Sequence, residues 1–342
     1  MTDGNMKDRR AMVTGGAGFI GSELTKQLVQ NGAVVTVLDN FASGKKEYLT
    51  GLQVRIVNGD ICDKGKVVEC LKDQEIVYHV AALPFIPDSY ANPEEFFRVN
   101  VEGTITLMRQ AIASESVERF VYLSSSEVYG SAQTVPMTED HTTLPRSTYA
   151  VSKLAADRSV FTLYKEHGLP SVIVRLFNSY GPNITQPYIV PEIALQLLEG
   201  RSSLRLGNVD SSRDFTFVED SARAIVLSSL SKNAIGEVIN VGSGEDVKII
   251  RLAKLIANIV GSEFSIETDP SRFRPYDVDR LICDNSKAKR ILKWEPNVGL
   301  QEGLRRTIDW IRKHPITFKA PFRGDAAWYR TPRLPANRQS ER

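Results

Sequence analysis

Short apolar segments rich in β-branched residues alternate with longer amphipathic segments through the first half of the chain, and this alternation most limits how it can fold. The pattern predicts strands at Arg10–Val13, Val34–Leu38, Val54–Val57, Ile76–His79, Arg119–Leu123 and Ser171–Arg175. It predicts helices between most of them, notably at Gly18–Gln30, Pro93–Ala113 and Tyr149–His167. Nearly continuous apolar strands separated by helices are typical of a parallel sheet covered on both faces. We therefore predict an α/β fold with a doubly wound parallel (Rossmann) sheet and a ligand crevice at the carboxyl ends of its strands.

Beyond Asn178 the alternation weakens, which predicts a smaller C-terminal substrate-binding domain interleaved with the first. Further helices are predicted at Pro191–Glu199, Lys248–Val260 and Leu300–Arg312. A helix at Phe217–Leu230 and a strand at Val238–Val241 are predicted to return to the main sheet. The expected division is residues 8–177 with 214–241 for the Rossmann domain, 178–213 with 242–315 for the second domain, and 316–342 for a basic, proline-containing tail.

The composition is that of a globular chain without a membrane segment. Of its 342 residues, 42% are hydrophobic and 25% are charged, and the formal net charge is only +2. A charge so near zero predicts neither a nucleic-acid nor a membrane partner, and no apolar run approaches the roughly 18 residues of a spanning helix. The N-terminus is polar, and three cysteines without metal-ligand spacing suit a reducing compartment. We expect a cytoplasmic protein without a metal site.

A glycine-rich loop follows the first predicted strand and opens the first predicted helix, which is the context of a dinucleotide site. Asp39 ends the second strand 18 residues after Gly21, where a carboxylate accepts a hydrogen bond from the adenosine ribose and favours NAD over NADP. Lys45 and Lys46, just beyond it, leave that preference open. The ends of the third and fourth strands are expected to line the same cleft. The predicted NAD-binding residues are Gly15, Gly18, Phe19, Ile20, Gly21, Asp39, Asn40, Asp60, Ile61, Ala81 and Ala82, together with Tyr149 and Lys153.

Tyr149 and Lys153 are four residues apart on a predicted helix, so their side chains share one face. A lysine ammonium near a phenol favours the phenolate, which predicts a lowered pKa for Tyr149 and a role as general base. The spacing alone is common. It gains weight from Ser125, Ser126 and Glu127 at the end of the fifth strand, where the sheet delivers side chains to the same crevice.

With these residues, the sequence resembles the extended short-chain dehydrogenase/reductase family, in its nucleotide-sugar epimerase and dehydratase branch, over residues 8–313. The motifs that carry the resemblance are the glycine loop at 15–21, Asp60-Ile61, His79-Val80-Ala81-Ala82, Asn100 to Thr104, Ser125 to Gly130, Tyr149 with Lys153, Arg175, Asn178, Tyr180-Gly181-Pro182, Arg213-Asp214-Phe215 and Arg274-Pro275. The resemblance implies a nucleotide-diphosphate sugar as substrate and a homodimer formed through Pro93–Ala113 and Tyr149–His167. Members that only sense a dinucleotide typically lack the Tyr/Lys pair, and here the pair is intact, which implies an enzyme.

The resemblance also implies roles for individual residues. Tyr149 would deprotonate the sugar 4-hydroxyl while C4 gives hydride to NAD, Lys153 would hold the ribose, and Ser125 would bind the same hydroxyl. Asn178, Arg213 and Arg274 would hold the sugar nucleotide, the two arginines facing its diphosphate, which suits guanidinium chemistry.

Three reactions share this oxidation, and the residues favour one of them. A 4,6-dehydratase removes the C5 proton, expels the C6 hydroxyl as water and returns the hydride to C6, and Glu127 is well placed as the extra base. An epimerase usually carries no acid there, so UDP-sugar 4-epimerase is the first alternative. Ser126 stands where the dTDP-glucose dehydratases carry an acid, so the proton donor is unassigned. The predicted catalytic residues are Ser125, Ser126, Glu127, Tyr149 and Lys153.

The second alternative, a UDP-glucuronate decarboxylase, fits less well. Such enzymes place an arginine 13 residues before a Trp-Glu-Pro segment, and here Leu281 stands at that distance from Trp294, with Arg280 one residue earlier. A shift of one residue along a strand reverses the face of the side chain. The segments 274–281, 284–288 and 130–133 instead resemble bacterial 4,6-dehydratases that act on GlcNAc nucleotides.

Overall fold

The computed structural model describes residues 5–274, 276–314, 316 and 318. Pro275 of the predicted Arg274-Pro275 motif and all of the predicted tail except Ile316 and Phe318 lie outside the described residues. The strands are β1 (Arg10–Thr14), β2 (Val34–Asp39), β3 (Val54–Asn58), β4 (Ile76–His79), β5 (Arg119–Ser125), β6 (Ser171–Leu176), β7 (Asn178–Tyr180), β8 (Ser203–Leu206), β9 (Ser212–Arg213), β10 (Phe215–Phe217), β11 (Val238–Val241), β12 (Val247–Lys248), β13 (Ser265–Thr268) and β14 (Arg280–Leu281).

The α-helices lie mostly between these strands. They are α1 (Phe19–Gln30), α2 (Lys64–Leu71), α3 (Ile86–Ala91), α4 (Pro93–Phe97), α5 (Gly103–Ile112), α6 (Thr148–His167), α7 (Ile189–Leu198), α8 (Val218–Leu230), α9 (Ile249–Val260), α10 (Ser286–Leu292) and α11 (Leu300–Lys313). Within the described ranges, none of them combines the length and the apolar character needed to cross a membrane.

The central sheet has the order β3-β2-β1-β4-β5-β6-β11, and every neighbouring pair in it is parallel. The predicted doubly wound Rossmann fold is therefore confirmed. The chain reverses its direction of travel between β1 and β4, whose ends pair in register, Thr14 opposite His79. Ligands of such sheets bind outside the carboxyl ends at this switch point.

Two apolar cores cover the two faces of the sheet. On one face α1, α8 and α10 contribute buried residues such as Leu24, Ile225 and Leu292. On the other face α2, α5 and α6 contribute residues such as Met108 and Val160. Both faces are sealed from water, which explains why the strands read as continuous apolar runs.

A third core unites α7, α9 and α11 with short strands, and it forms a smaller unit beside the carboxyl ends of the sheet. The strand β11 pairs with β6 in the main sheet, and α8 packs on α1. The expected division places 242–315 in the second domain. The helix α10 departs from it, because Ala288 on this helix and Trp294 just after it are buried in the core of the large sheet. We keep the remaining boundaries as a proposal.

The predicted helix at Pro93–Ala113 is interrupted. A π-helical turn at Arg98–Glu102 separates α4 from α5, and a π-turn inside a helix marks a functional site more often than chance. Hydrophobic periodicity does not reveal one extra residue in a turn. The short α2 was also not predicted, although its start carries a capping signal, since the Asp63 side chain accepts a hydrogen bond from the Lys66 N–H.

A buried ion pair ties α6 to the centre of the sheet. The guanidinium of Arg175 on β6 donates from Nε and Nη2 to the two carboxylate oxygens of Asp157, at 2.9 and 3.2 Å. Their side chains are only 4% and 0% exposed, and the hydroxyl of Ser124 donates to the same carboxylate at 2.9 Å. The pair therefore fixes α6 relative to the ends of β5 and β6.

We predict that Arg175→Met lowers the free energy of unfolding by about 3–5 kcal/mol, because it leaves the Asp157 carboxylate buried without its counter-ion. Arg55→Met is the matched control, since the Arg55–Glu69 pair is exposed and should cost about 0–1 kcal/mol. Urea denaturation followed by circular dichroism measures both values. Equal losses in the two variants would contradict a dominant role for the buried pair.

Candidate active site

One continuous cleft of about 860 Å³ runs along the carboxyl ends of the sheet and is closed on its other side by the smaller unit. It brings together nearly all of the residues predicted from the sequence. Those that line it are Gly15, Gly18, Phe19, Ile20, Gly21, Asp39, Asn40, Asp60, Ile61, Ala81, Ala82, Ser125, Glu127, Tyr149, Lys153, Asn178, Arg213 and Arg274.

The glycine loop leaves the N-terminus of α1 open to this cleft. Gly15 has a φ of +69°, and a Cβ there would lie 2.8 Å from the Ala81 backbone. A Cβ on Gly21 would lie 1.9 Å from the Gly15 carbonyl oxygen. The loop, the helix and the segment after β4 can therefore approach this closely only with glycine at both positions. Free N–H groups and the positive end of the helix dipole make the site suitable for the pyrophosphate of a dinucleotide.

Asp39 stands at the end of β2 with its carboxylate held by the backbone. Its Oδ2 accepts from the Ala17 N–H at 2.9 Å and its Oδ1 from the Phe41 N–H at 2.8 Å. Burial raises the pKa of Asp39, and these two bonds oppose the rise. Each carboxylate oxygen has a further lone pair, so the residue can still accept from a ribose hydroxyl.

Asp60, which follows β3, is held in a similar way. Its Oδ1 accepts from the Cys62 N–H at 2.8 Å, and the Arg98 guanidinium lies 3.4 Å from its Oδ2. Burial acts to raise the pKa of Asp60, but the Cys62 and Arg98 interactions outweigh it and the pKa is lowered. A fixed, ionised acceptor at this place fits the amino group of an adenine.

Tyr149, Ser125 and Glu127 meet at the centre of the cleft. Tyr149 lies in the first turn of α6, which Ser147 caps by accepting from the Ala150 N–H at 3.1 Å. The Ser125 hydroxyl acts to lower the pKa of the Tyr149 phenol and the Glu127 carboxylate acts to raise it, so both groups lie close to the phenol. The arrangement joins a proton-transfer pair to a separate carboxylate.

The predicted lowering of the Tyr149 pKa by Lys153 is wrong for this structure. Burial raises the pKa of Tyr149 to about 12, and Glu127 adds to the rise. The Lys153 ammonium donates to the Leu123 carbonyl at 2.5 Å and lies 4.4 Å from the centre of the Tyr122 ring. Burial lowers the pKa of Lys153 itself to about 7, against the opposing charge of Asp157. Desolvation therefore sets the pKa values of both groups, and their position on the same face of the helix does not lower the pKa of Tyr149.

Ser126 is the one predicted site residue that does not line the cleft. It is 3% exposed and begins a single 3₁₀ turn, Ser126–Tyr129, directly after β5. Ser125 is still extended, with φ −144° and ψ 146°. The chain therefore turns between them, so that Ser125 and Glu127 face the cleft while Ser126 does not.

The other end of the cleft carries arginines. The Arg274 Nη1 lies 3.9 Å from the Glu127 Oε1 and 3.8 Å from the Asp277 Oδ1, and the Arg213 Nη2 lies 3.7 Å from the same Asp277 atom. Burial lowers the pKa of Arg213. The Oδ1 atom of Asn178 is buried without a hydrogen-bond partner in the described structure. These groups can bind an anion and its polar neighbours.

Sequence reasoning missed an aromatic wall and a supporting amide. The rings of Phe85 and Tyr188 line the cleft, edge to face at 6.2 Å, but both lie in loops without any period. Asn100 was recognised only as part of a motif. Its Oδ1 accepts from the Leu83 N–H at 2.8 Å, and its Nδ2 donates to the Ser152 hydroxyl at 2.9 Å. It therefore connects the loop after β4 to α6.

Comparison with known proteins shows consistent similarity over most of the chain. The GDP-mannose 4,6 dehydratase family profile matches residues 12–307. A UDP-N-acetyl-alpha-D-glucosaminuronate decarboxylase from Bacillus cytotoxicus is 32% identical over 89% of this chain and 98% of its own length. The solved epimerase Mth375 from Methanothermobacter thermautotrophicus superposes with a TM-score of 0.84 at 31% identity, over 90% of this chain and 93% of that one. The dTDP-glucose 4,6-dehydratase DesIV from Streptomyces venezuelae, solved with NAD bound, gives 0.82 at 31% identity, over 89% and 97%.

The buried Lys153 generates a prediction about stability and pH. Its pKa in the folded protein is about 7 rather than 10.5, so the unfolded chain holds the proton more tightly over that interval. Lys153 therefore destabilises the fold fully below pH 7, and the penalty is relieved as the pH rises from 7 towards 10.5.

We expect Lys153→Met, freed of any bound dinucleotide, to have a higher melting temperature than the wild-type protein at pH 6. The difference should correspond to about a few kcal/mol in the free energy of unfolding. The difference should shrink as the pH rises. Thermal unfolding at several pH values measures it, and Lys26→Met, on the exposed side of α1, is the control. A constant difference between Lys153→Met and wild type across this range would contradict the lowered pKa.

Proposed function

Because the chain belongs to the nucleotide-sugar dehydratase, epimerase and decarboxylase family of extended short-chain dehydrogenases/reductases, we propose that it is an NAD-dependent nucleotide-sugar 4,6-dehydratase. The observation that carries the proposal is the Glu127 carboxylate. It lines the cleft two residues after Ser125, close to the Tyr149 phenol, and elimination needs a base at that point.

Bound NAD would supply the acceptor for the hydride of the sugar C4 and the donor that returns this hydride to C6. We assign its pyrophosphate to the N-terminus of α1, where the glycines of the loop allow close approach. Asp39 is assigned to the adenosine ribose and Asp60 to the adenine side. Ala81 and Ala82, next to Gly15, line the same cleft as Tyr149 and Lys153.

Tyr149 and Ser125 act together on the sugar 4-hydroxyl. Their closeness in the cleft supports transfer of that proton to the Tyr149 phenol oxygen, with Ser125 orienting the sugar hydroxyl. The raised pKa of Tyr149 means that a phenolate forms only when positive charge comes close to it. Lys153 donates to the Leu123 carbonyl and its own pKa is lowered to about 7, so we assign this positive charge to what binds in the cleft beside Tyr149.

Glu127 performs the elimination in this mechanism. Once C4 is a ketone, the C5 proton is acidic, the Glu127 carboxylate removes it, and the C6 hydroxyl leaves as water. Because Ser126 lies off the cleft, we assign the proton for the departing hydroxyl to the newly protonated Glu127. One carboxyl group then acts first as base and then as acid.

The residues near the place of the decarboxylase arginine support a dehydratase over a decarboxylase. Arg213 and Arg274 suit the diphosphate that both kinds of substrate carry. Arg280, the nearest match to the decarboxylase arginine, donates from Nε to Asp246 at 2.9 Å and does not line the cleft. Leu281, at the matching distance, is fully buried. These observations weigh against decarboxylation.

We expect the purified protein, supplied with NAD, to convert a nucleotide sugar to a product lighter by one water. Mass spectrometry across UDP-GlcNAc, UDP-glucose, UDP-glucuronate and GDP-mannose measures this. A mass-neutral conversion would overturn the dehydratase proposal in favour of a 4-epimerase, which needs Tyr149 and Ser125 but no carboxylate beside them. Loss of carbon dioxide would overturn it in favour of a decarboxylase.

A substitution separates the elimination from the shared oxidation. Glu127→Gln should slow water loss by about 10²-fold or more, because the amide cannot accept the C5 proton. In deuterated water the wild-type product should gain deuterium at C5, and the variant should lose that incorporation. Tyr149→Phe is the comparison, since it should stop the reaction before elimination. Full turnover by Glu127→Gln would contradict the role of Glu127.

We further propose that the protein works as a homodimer through α6 and the segment 93–112. Both carry exposed apolar side chains, Phe97 at 38% and Val151 at 40% exposure. Light scattering at micromolar concentration should give twice the 38.1 kDa chain mass. A Phe97→Asp/Val151→Asp variant should give the monomer mass, and a monomeric wild-type protein would contradict the proposal.

A further inference from the structure

His79 closes a buried polar chain that passes beneath the cleft. It is the last residue of β4 and is 1% exposed. Its Nδ1 lies 2.8 Å from the Thr14 hydroxyl at the end of β1, and its Nε2 lies 2.8 Å from the Thr104 hydroxyl on α5. Both ring nitrogens are therefore engaged, each by a different element of the fold.

The direction of these bonds follows from their neighbours. The Thr104 hydroxyl lies 2.6 Å from the Asn100 carbonyl, which can only accept, so the hydroxyl proton points there. The Thr104 oxygen must then accept from His79, and Nε2 must carry the proton. A neutral imidazole has one N–H, so Nδ1 is the acceptor.

The other end agrees with this assignment. The Thr14 oxygen accepts from the backbone N–H groups of Val80 and Ala81, both at 3.2 Å. Its own proton is therefore free to be donated to the His79 Nδ1. A second proton on His79 would face the Thr14 proton, and the groups packed around the ring are Lys153, Phe120 and Tyr122. Burial, with Lys153, lowers the pKa of His79 to about 3.

The two ends of this series of hydrogen-bonded side chains, Thr14 and Thr104, lead to the two halves of the cleft. At the Thr14 end, Ala81 presses against Gly15, where a Cβ would lie 2.8 Å from the Ala81 backbone. At the Thr104 end, Asn100 donates to the Ser152 hydroxyl at 2.9 Å, and that hydroxyl donates to the Tyr149 carbonyl at 2.8 Å. The glycine loop and the start of α6 are thus joined through one imidazole.

We propose that His79 is a positioning residue that, as the uncharged Nε2–H tautomer, holds the glycine loop in register with the helix that carries Tyr149. It touches neither cofactor nor substrate and acts through Thr14 on one side and Thr104 on the other. Its effect on turnover rests on the proposed function, whereas its protonation state and its effect on dinucleotide binding can be measured without a sugar substrate.

The first test is spectroscopic. The chain has four histidines, and the variant His141→Gln/His167→Gln/His314→Gln leaves His79 alone. Two-bond ¹H–¹⁵N spectra of ¹⁵N-histidine-labelled protein should show a protonated Nε2 and an unprotonated, hydrogen-bonded Nδ1, unchanged down to about pH 5. An Nδ1–H tautomer, or protonation of the ring above that pH, would overturn the proposal.

The second test uses threonine variants in the full chain. Thr14→Val removes the hydroxyl that accepts from the Ala81 N–H and faces the His79 Nδ1, while the Val80 N–H keeps the Thr14 carbonyl as acceptor at 3.3 Å. The variant should weaken NAD binding by about tenfold. Thr104→Val, at the other end, should lower kcat by about tenfold with a smaller effect on NAD affinity. Thr104→Ser, which keeps the hydroxyl, should restore kcat to within about twofold of wild type.

Thr307→Val is the matched control. Like Thr104, Thr307 is a buried helical threonine that donates to the carbonyl four residues earlier, at 2.7 Å, but it lies on α11 away from the cleft. It should lower the melting temperature without changing NAD affinity or kcat. Equal kinetic effects of Thr104→Val and Thr307→Val, or no rescue by Thr104→Ser, would overturn the proposal. A wild-type protein that binds no NAD in calorimetry would instead refute the proposed function and leave the spectroscopic result standing.

Discussion

The parallel pairing of β1 with β4 is the constraint on which the rest of this structure depends. It places Thr14 opposite His79 at one edge of the sheet, so the glycine loop and the loop after β4 must leave the sheet side by side. The two backbones then approach so closely that Gly15 has no room for a Cβ against Ala81. The N-terminus of α1, Ser125 at the end of β5 and Tyr149 at the start of α6 all open into the crevice that this pairing creates.

Burial, more than the charge of individual neighbours, shifts the pKa values of Tyr149, Lys153 and His79, in and beneath this crevice. It raises the pKa of Tyr149 to about 12 and lowers those of Lys153 and His79 to about 7 and about 3. Each group is driven towards its neutral form because the surroundings solvate charge poorly. In such a site a charged ligand changes the balance far more than it would in water. The chemistry proposed for Tyr149 therefore depends on what is bound beside it.

Most of the framework was predictable because it follows local rules. The strands of the main sheet and the helices α1 and α6 begin and end within about two residues of their predicted positions, since apolar runs and amphipathic periods reflect burial directly. The glycine loop and Asp39 were predictable because strand, turn and helix follow one another there. The π-turn at Arg98–Glu102, the aromatic wall and the packing of α10 on the large sheet were not, because each depends on contacts between segments far apart in the chain.

The amino-acid sequence by itself determined the doubly wound sheet, the glycine loop and the set of side chains that reach the carboxyl ends of the strands. It did so because backbone geometry and hydrophobic periodicity act over a few residues at a time. Only the tertiary structure decided that Ser125 and Glu127 face the cleft while Ser126 turns away, and that Lys153 bonds to Leu123 rather than tuning Tyr149. The tertiary structure also brought Thr14, His79 and Thr104 together, so that hydrogen bonds connect them in one series. Such outcomes depend on desolvation and on hydrogen-bond partners, and these are set when distant segments pack together.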